Sequence, residues 1–571
     1  MESQQSLTIM EKGPSMAPPP DSEAHPSSPI KRKPGGWKTF PFISGTLAGL
    51  ILGGEGWKMN LIVFLIGNFN TKNIYAAQVY NIVNGCTNFL PVIGAIAADS
   101  FLGSFLVIFI SSVISLLGTV LLLATVLVKS LKPQPCRIGS EPCEKPEEYQ
   151  FAVLYAGIAL ATIGLAGTRF TLGTMGANQL KSPKEQGVFF NWYFVTFYMA
   201  VVVATTAIVY IEDNVSWGLG LGICVAANTI GLIVFSVGYR FFIHDKPQGS
   251  PYTSFARVVV AAIRKRKMPL SSRKEDYLYQ HDKAAEDLAP ILLEKNFRFL
   301  NRAALVTEGD TGPDGAVTKP WRLCSLQQVE DLKSLVRILP LWSTGVLLST
   351  PIAVQNSFTV LQALLMNRHL GPHFKIPAGS IIVLVMLSAS VCLSLIERVM
   401  NPLWRKVFRR PPTDLQRIGV GHVINVMAMA ISAIVETRRL RTVHHGRPSS
   451  PMSAVWLFPQ LILVGIGEAF HFPGQVALYY QEFPVSLKST ATAMIGMVIG
   501  IAYYLSTAVV DLVQRSTGWL PDDLNQGSLD NLYWLLMVFG VANFVYYLVC
   551  SWFYKYQNVE RVANGGGSVS D

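Results

Sequence analysis

The sequence predicts an all-α membrane protein of twelve transmembrane helices, arranged as two six-helix bundles joined by a long polar connection. Three observations carry that prediction. Half of the 571 residues are hydrophobic and only 15% are charged, against about a quarter in soluble domains, and the mean hydropathy is +0.35. Apolar runs of about twenty residues, the length a helix needs to cross a bilayer, recur nearly end to end. The runs fall into two sets of six around residues 243–334, the arrangement of transporters whose two bundles are related by an axis along the membrane normal. Collagen, coiled coil, wholesale disorder and a string of soluble domains are excluded by the same pattern.

Residues 1–38 open the chain. Met1 to Gly36 is rich in Pro, Ser and charge and lacks the apolar core of a secretory signal, so a disordered cytosolic tail is expected. The first six spans are placed at 39–67, 74–98, 102–128, 151–178, 187–211 and 217–242, making 39–242 the N-terminal bundle. Residues 243–334 follow as a cytosolic linker. Within it, Pro251 to Lys267 reads as an amphipathic helix ending in Arg264, Lys265, Arg266 and Lys267, suited to lie on anionic inner-leaflet lipids. A basic-directed phosphorylation site at Ser271 or Ser272 is the sharper alternative. Ser325 and Gln328 have capping-box spacing and open a helix that feeds the seventh span. The second six spans are placed at 335–360, 376–398, 417–438, 454–481, 489–513 and 530–554, making 335–555 the C-terminal bundle, with a cytosolic tail at 556–571.

Lys31, Arg32, Lys33 and Lys38 before the first span, and Arg405, Lys406, Arg409 and Arg410 after the eighth, place both termini in the cytosol. Arg438, Arg439, Arg441 and Arg447 after the ninth span, and the cations of the 129–150 loop, vote the other way. The net charge of +11 does not imply nucleic acid, because Lys and Arg lie between apolar runs and not along one solvated face. The seven cysteines are scattered without metal-ligand spacing; only Cys136 and Cys143 share a short loop, which they can bridge if it faces an oxidising compartment.

A charge at bilayer depth is expensive unless paired or hydrated, so ionisable residues inside spans are the functional candidates. Asp99, Glu397, Arg398, Glu436, Asp511 and Arg515 fall at span ends and read as topology and packing. Four remain. Glu55 and Lys58, three residues apart on the first span, share a face and can neutralise each other, or one of them takes part in coupling or substrate contact. Arg169 lies in the fourth span among glycines that let neighbouring helices approach. Glu468 lies in the tenth, with a kink expected at Pro473. Arg169 and Glu468, one in each bundle, invite pairing across the bundle interface, either as a static buried pair or as a gate that changes during alternating access. His471, one turn from Glu468, can tune its protonation or simply be satisfied in helix packing. No metal site and no catalytic constellation accompanies these charges, so neither a cofactor nor an enzyme is expected.

Gly164 to Gln179, Phe189-Phe190-Asn191, Asp414 to Gly421 and Gly465 to Gln475 resemble the plant nitrate/peptide transporter family. That family is the plant branch of the proton-dependent oligopeptide transporters within the major facilitator superfamily. Asn60 to Leu65, Asn191-Trp192 and Gly467 to Gly474 resemble its nitrate-excretion subgroup. The resemblance implies the major facilitator fold, and an alternating-access salt bridge whose partners match Arg169 and Glu468. It also exposes departures. The first-span E-x-x-E-R motif associated with proton coupling falls at Leu47-Ala48-Gly49-Leu50-Ile51, without either glutamate or the arginine. The seventh-span histidine that contacts nitrate in a relative aligns with Ile352, and a regulatory threonine of the third span aligns with Val107. The fifth-span I-N-x-G-S signature reads Phe197-Tyr198-Met199-Ala200-Val201.

Export of an anion runs down the electrical gradient and needs no coupled proton. The missing carboxylates are therefore consistent with a plasma-membrane transporter of nitrate or chloride, working by electrically driven efflux or facilitated transport, with Arg169 as the anion contact. A proton-coupled importer of nitrate, peptides or a larger anionic metabolite is the alternative, with Glu55 as the displaced proton site. A membrane-embedded sensor signalling through the linker is a third reading.

Overall fold

The structure, a computed structural model, describes residues 35–134, 145–169, 171–244, 251–271, 276–278, 297–311, 317–409, 412–445, 451–482 and 488–554. Both tails, Cys136 and Cys143, Ser272, Arg410 and Arg447 lie outside the described residues.

Among the described residues, eleven helices and one bent pair are long and apolar enough to cross a bilayer, and a helix is the form in which a segment in lipid satisfies its own backbone polar groups. The pair is the first span, Trp37–Met59 and Leu61–Phe69, bent by 53°; the expected single run at 39–67 breaks at Asn60, which interrupts the helix between them. The remaining spans are Asn73–Leu102, Ser104–Leu127, Glu148–Asn178, Val188–Asn214, Trp217–Phe241, Leu326–Leu364, Gly379–Phe408, Asp414–His444, Ala454–Tyr479, Ala493–Ser516 and Leu529–Phe553. Ile230, Val237, Leu403 and Leu512 are among the exposed large side chains of these helices, a surface suited to lipid.

The two halves repeat one pattern. The third span packs on the fourth and the first on the sixth, as the ninth packs on the tenth and the seventh on the twelfth. The second and eleventh spans cross between the bundles, where Gly500 leaves its Cβ position only 3.1 Å from the Gly85 carbonyl oxygen. The seventh span is one helix from Leu326 to Leu364, opened by the expected capping box at Ser325 and Gln328, so position 334 falls inside a helix. Pro473 lies within a helix that continues to Glu482.

The linker corrects one expectation, the place of Lys265. Pro251–Arg264 is a helix with one apolar stripe turned into the protein, while Val259 and Ile263 stay exposed. Phe255, Val258, Ala261 and Ala262 are buried against Leu300, Ala303, Ala304 and the start of the seventh span. Lys265 is buried with them, pairing with Asp310 at 2.8 Å and donating to the Leu305 carbonyl at 2.6 Å; it is withdrawn from any lipid contact, while Arg264, Arg266 and Lys267 stay exposed. Ser271 already donates its hydroxyl to Asp276, so a phosphate there would meet a carboxylate.

Asp310 is the centre of this fold. Burial opposes its ionisation, yet hydrogen bonds from Lys265 and Thr307, with the charges of Lys265 and Arg322, hold it below the ordinary aspartate range. A carboxyl depressed in the folded state stabilises at neutral pH and loses that contribution only as pH falls through its folded value. Asp310→Ala, which strands the Lys265 ammonium, is expected to release the linker by about 3 kcal/mol, seen as faster proteolysis between residues 265 and 325 with the spans intact.

Buried charge also occupies the end of the ninth span, where Glu436 packs as an ion pair and not as a group open to water. Glu436 is shielded from water: Arg439 grips both its oxygens, at 2.7 and 2.8 Å, while Gln362 donates to it at 2.6 Å. Asn525 accepts from the same guanidinium at 2.6 Å.

Candidate functional site

On the first span, Lys58 Nζ lies 2.7 Å from both carboxylate oxygens of Glu55. Both side chains are buried, so each supplies the counter-charge the other needs at that depth.

Arg169 reaches the site from the fourth span, held close to the third at Gly164, where a Cβ would stand 2.2 Å from the Ser115 nitrogen. Its surroundings form a cavity of about 20 Å³, lined by Leu47, Leu50, Ile51 and Glu55 of the first span, by Leu165, Thr168 and Leu172, and by Tyr193 and Phe197 of the fifth. A water molecule needs roughly 10–15 Å³, so one water fills it. The segment that replaces the E-x-x-E-R motif thus forms the apolar wall beside Arg169.

Glu468 stands on the tenth span within electrostatic reach of Tyr198 and Tyr503. The expected ion pair between Arg169 and Glu468 is not formed. Among the described residues neither has an ion-pair partner within 4.0 Å, and Arg169 lines the cavity of its own bundle. Tyr503 of the eleventh span lies within electrostatic reach of Arg169, Glu55 and Glu468 alike. His471, expected beside Glu468, faces His422 of the ninth span with ring centroids 5.8 Å apart, and His422 stacks on Tyr547 at 4.5 Å. Ile352, at the aligned nitrate-histidine position, is buried among apolar neighbours.

One face of the molecule, that of the 60–73, 365–378 and 517–528 connections, carries latches between the bundles. Lys72 pairs with Asp522, and Asn73 donates to the Asp522 carbonyl at 3.0 Å. Arg368 pairs with Asp213 at 3.0 Å, presented by a short antiparallel ribbon, His369–Leu370 with Phe374–Lys375, whose turn needs Gly371 at φ 78°. Ser380 donates to the Thr205 carbonyl at 2.6 Å. None of these residues stood out in the sequence; the pairs span as many as 450 positions, and only a known fold brings them together. Tyr193 and Tyr503, which flank Arg169, were also invisible, as tyrosines within apolar runs.

Two repeated bundles, a cation in a cavity of one, a carboxylate in the other and charged latches between them define a membrane transporter, not an enzyme. The chain belongs to the POT family, whose model matches residues 105–525. It is similar to the Arabidopsis thaliana protein NRT1/PTR FAMILY 2.5, 53% identical over 539 residues that cover 94% of this chain and 96% of the relative. NRT1/PTR FAMILY 2.13 of the same plant is 37% identical over 548 residues, 92% of this chain and 88% of the relative. These place it in the plant NRT1/PTR branch. A crystal structure of an auto-inhibited POT family peptide transporter shares the fold at a TM-score of 0.67 and 16% identity, covering 91% of this chain and 97% of that one. A POT family transporter in complex with 5-aminolevulinic acid does so at 0.59 and 13%, covering 92% and 98%. The major facilitator fold follows.

Proposed function

We propose that the protein carries nitrate or chloride by alternating access, releasing the anion down the electrical gradient, with Arg169 as its contact. One observation carries this reading. Arg169 is a cation in a cavity with no ion-pair partner within 4.0 Å among the described residues, while the neighbouring carboxylate, Glu55, is cancelled by Lys58. A guanidinium donates two parallel hydrogen bonds to a planar oxyanion and stays charged. At about −100 mV, moving one anion inward costs roughly 2.3 kcal/mol before any concentration term, so uptake needs coupled protons and export does not. Leu47, Leu50 and Ile51 supply none of the carboxylates such coupling uses. The resemblance of Asn60 to Leu65, Asn191-Trp192 and Gly467 to Gly474 to the nitrate-excretion subgroup supports nitrate.

The plasma membrane with cytosolic termini is the location that fits. The opposing vote of the ninth-span loop weakens, since Arg439 is held by Glu436 and Arg438 lies over the Trp456 ring at 4.1 Å. Arg264, Arg266 and Lys267 then face the inner leaflet, where anionic lipids are their natural contacts.

Reversal potentials in oocytes, taken in nitrate, chloride and a dipeptide at two external pH values, test the reading. The expected result is an anion-selective current whose reversal potential ignores external pH. Current that vanishes without an inward proton gradient would support the proton-coupled importer instead.

A further inference from the structure

The sequence-predicted fifth span ends at residue 211, which leaves Glu212 outside it. The helix in fact continues to Asn214, and Glu212 is 2% exposed. Its Oε2 accepts from Asn60 Nδ2 at 3.2 Å. The two remaining oxygens of that pair, Glu212 Oε1 and Asn60 Oδ1, are both buried acceptors with no donor. Two buried acceptors without a donor, on side chains already joined by one hydrogen bond, are what a missing proton leaves, and a carboxylate buried without a cation is strongly disfavoured.

Among the described residues, the charges around it are already committed. On its own helix, Asp213 is taken by Arg368. From the sixth span Cys224 faces it, and from the first comes Asn60, with Lys58 committed to Glu55. The turns 204–208 and 379–382 bring only Thr205, Thr206 and Ser380. The pocket is shaped for this side chain, since a Cβ at Gly220 would stand 2.2 Å from Glu212 Cγ.

The pair also sits where the bundles meet. Asn60 is the break in the first span, and the C-terminal bundle seats Gly379 directly on it, a Cβ there falling 2.9 Å from Asn60 Oδ1. Opening this face would part 379–382 from Asn60 and admit water to Glu212.

We propose that Glu212 with Asn60 is a proton-binding site of the latched face. It takes one proton from the adjoining aqueous side as the face closes, and returns it to the same side on opening. The proton gates this face and is not carried across. The inference does not depend on which solute the protein moves.

A Ser380→Cys reporter, labelled from the latched side by a membrane-impermeant maleimide in intact cells, reads the opening directly. Each rate is divided by that of the same reporter with Glu212→Gln, which cancels the thiol's own titration. The expected ratio falls about tenfold per pH unit as that side is acidified through the titration of Glu212, and Glu212→Gln alone labels slowly at every pH. Glu212→Asp restores a pH dependence with a displaced midpoint, which a purely structural role would not. Should the amide not reach the surface, Glu212→Ala serves as the neutral reference. A ratio independent of pH, or a wild-type profile retained in the neutral variant, overturns the proposal. So does a transport reversal potential that follows the pH gradient in wild type and ceases to do so in Glu212→Gln, because the proton would then be crossing.

Discussion

Arg169→Ala is expected to abolish anion flux, and Arg169→Lys to leave a measurable remnant. A hydrogen bond to a charged group contributes about 1.5–3 kcal/mol, so losing a two-pronged contact together with its charge costs about 100-fold or more in rate. Lysine keeps the charge as a single point and loses the planar fork that matches an oxyanion. Tracer efflux normalised to surface abundance checks both. The cavity beside Arg169 is closed mostly by leucines, Ile51 and Phe197, and Lys58, the cation within electrostatic reach, is engaged by Glu55, so it is not free to replace the guanidinium. Normal flux in both variants would remove Arg169 from the anion path.

The separation from Glu468 makes that expectation sharper. Were the two locked together, an incoming anion would have to compete with a carboxylate for the same guanidinium. Here the N-terminal side of the site carries Glu55, Lys58 and Arg169, a formal sum of +1, and the C-terminal side carries the single negative charge of Glu468. An anion seated at Arg169 neutralises the first half and leaves Glu468 without its attractor. Approach of the bundles around the site is then governed by whether the anion is present, the differential that any ligand-driven population shift requires.

The spans were legible because lipid imposes a length and an apolar composition that no other environment demands over so many segments. What lay hidden was set by contacts between segments. Asn60 is not a strong helix breaker, so nothing local announced a 53° bend; its partners are Glu212 on the fifth span and Gly379 on the eighth. Glu212 escaped through a placement error of a few residues at a helix end, the place where hydropathy is least sharp. Lys265, by contrast, was within reach. Val258, Ala261, Ala262 and Lys265 fall at i, i+3, i+4 and i+7, one buried stripe, whereas the basic cluster was read as a block of charge without regard to helix phase. The Arg169 and Glu468 positions were identified from opposite sign and similar depth, which locate two charges in the membrane but say nothing of which way a long side chain turns.

Breaking the Glu55–Lys58 pair from one side is the second large effect. Lys58→Met leaves the Glu55 carboxylate buried without a counter-charge, and removal of one member of such a pair typically costs about 3–5 kcal/mol. Glu55→Gln strands the ammonium in the same way. The double variant, Glu55→Gln with Lys58→Met, removes both charges and is expected to regain most of the loss, since a buried pair and a neutral replacement of similar volume are often equally stable. Thermal unfolding of the purified protein in detergent reads this directly, with the two single variants low and the double variant close to wild type. Transport then separates the two roles left open for these residues. A neutral pair that recovers both stability and flux acts only as mutual compensation. A double variant that is stable but no longer transports assigns the charges to the transport cycle itself, where Lys58, within electrostatic reach of Arg169, would add to the positive field that an anion meets. Local compensation is the expected outcome, because Lys58 Nζ lies 2.7 Å from both Glu55 oxygens, and a cation so engaged has little charge left to offer a substrate.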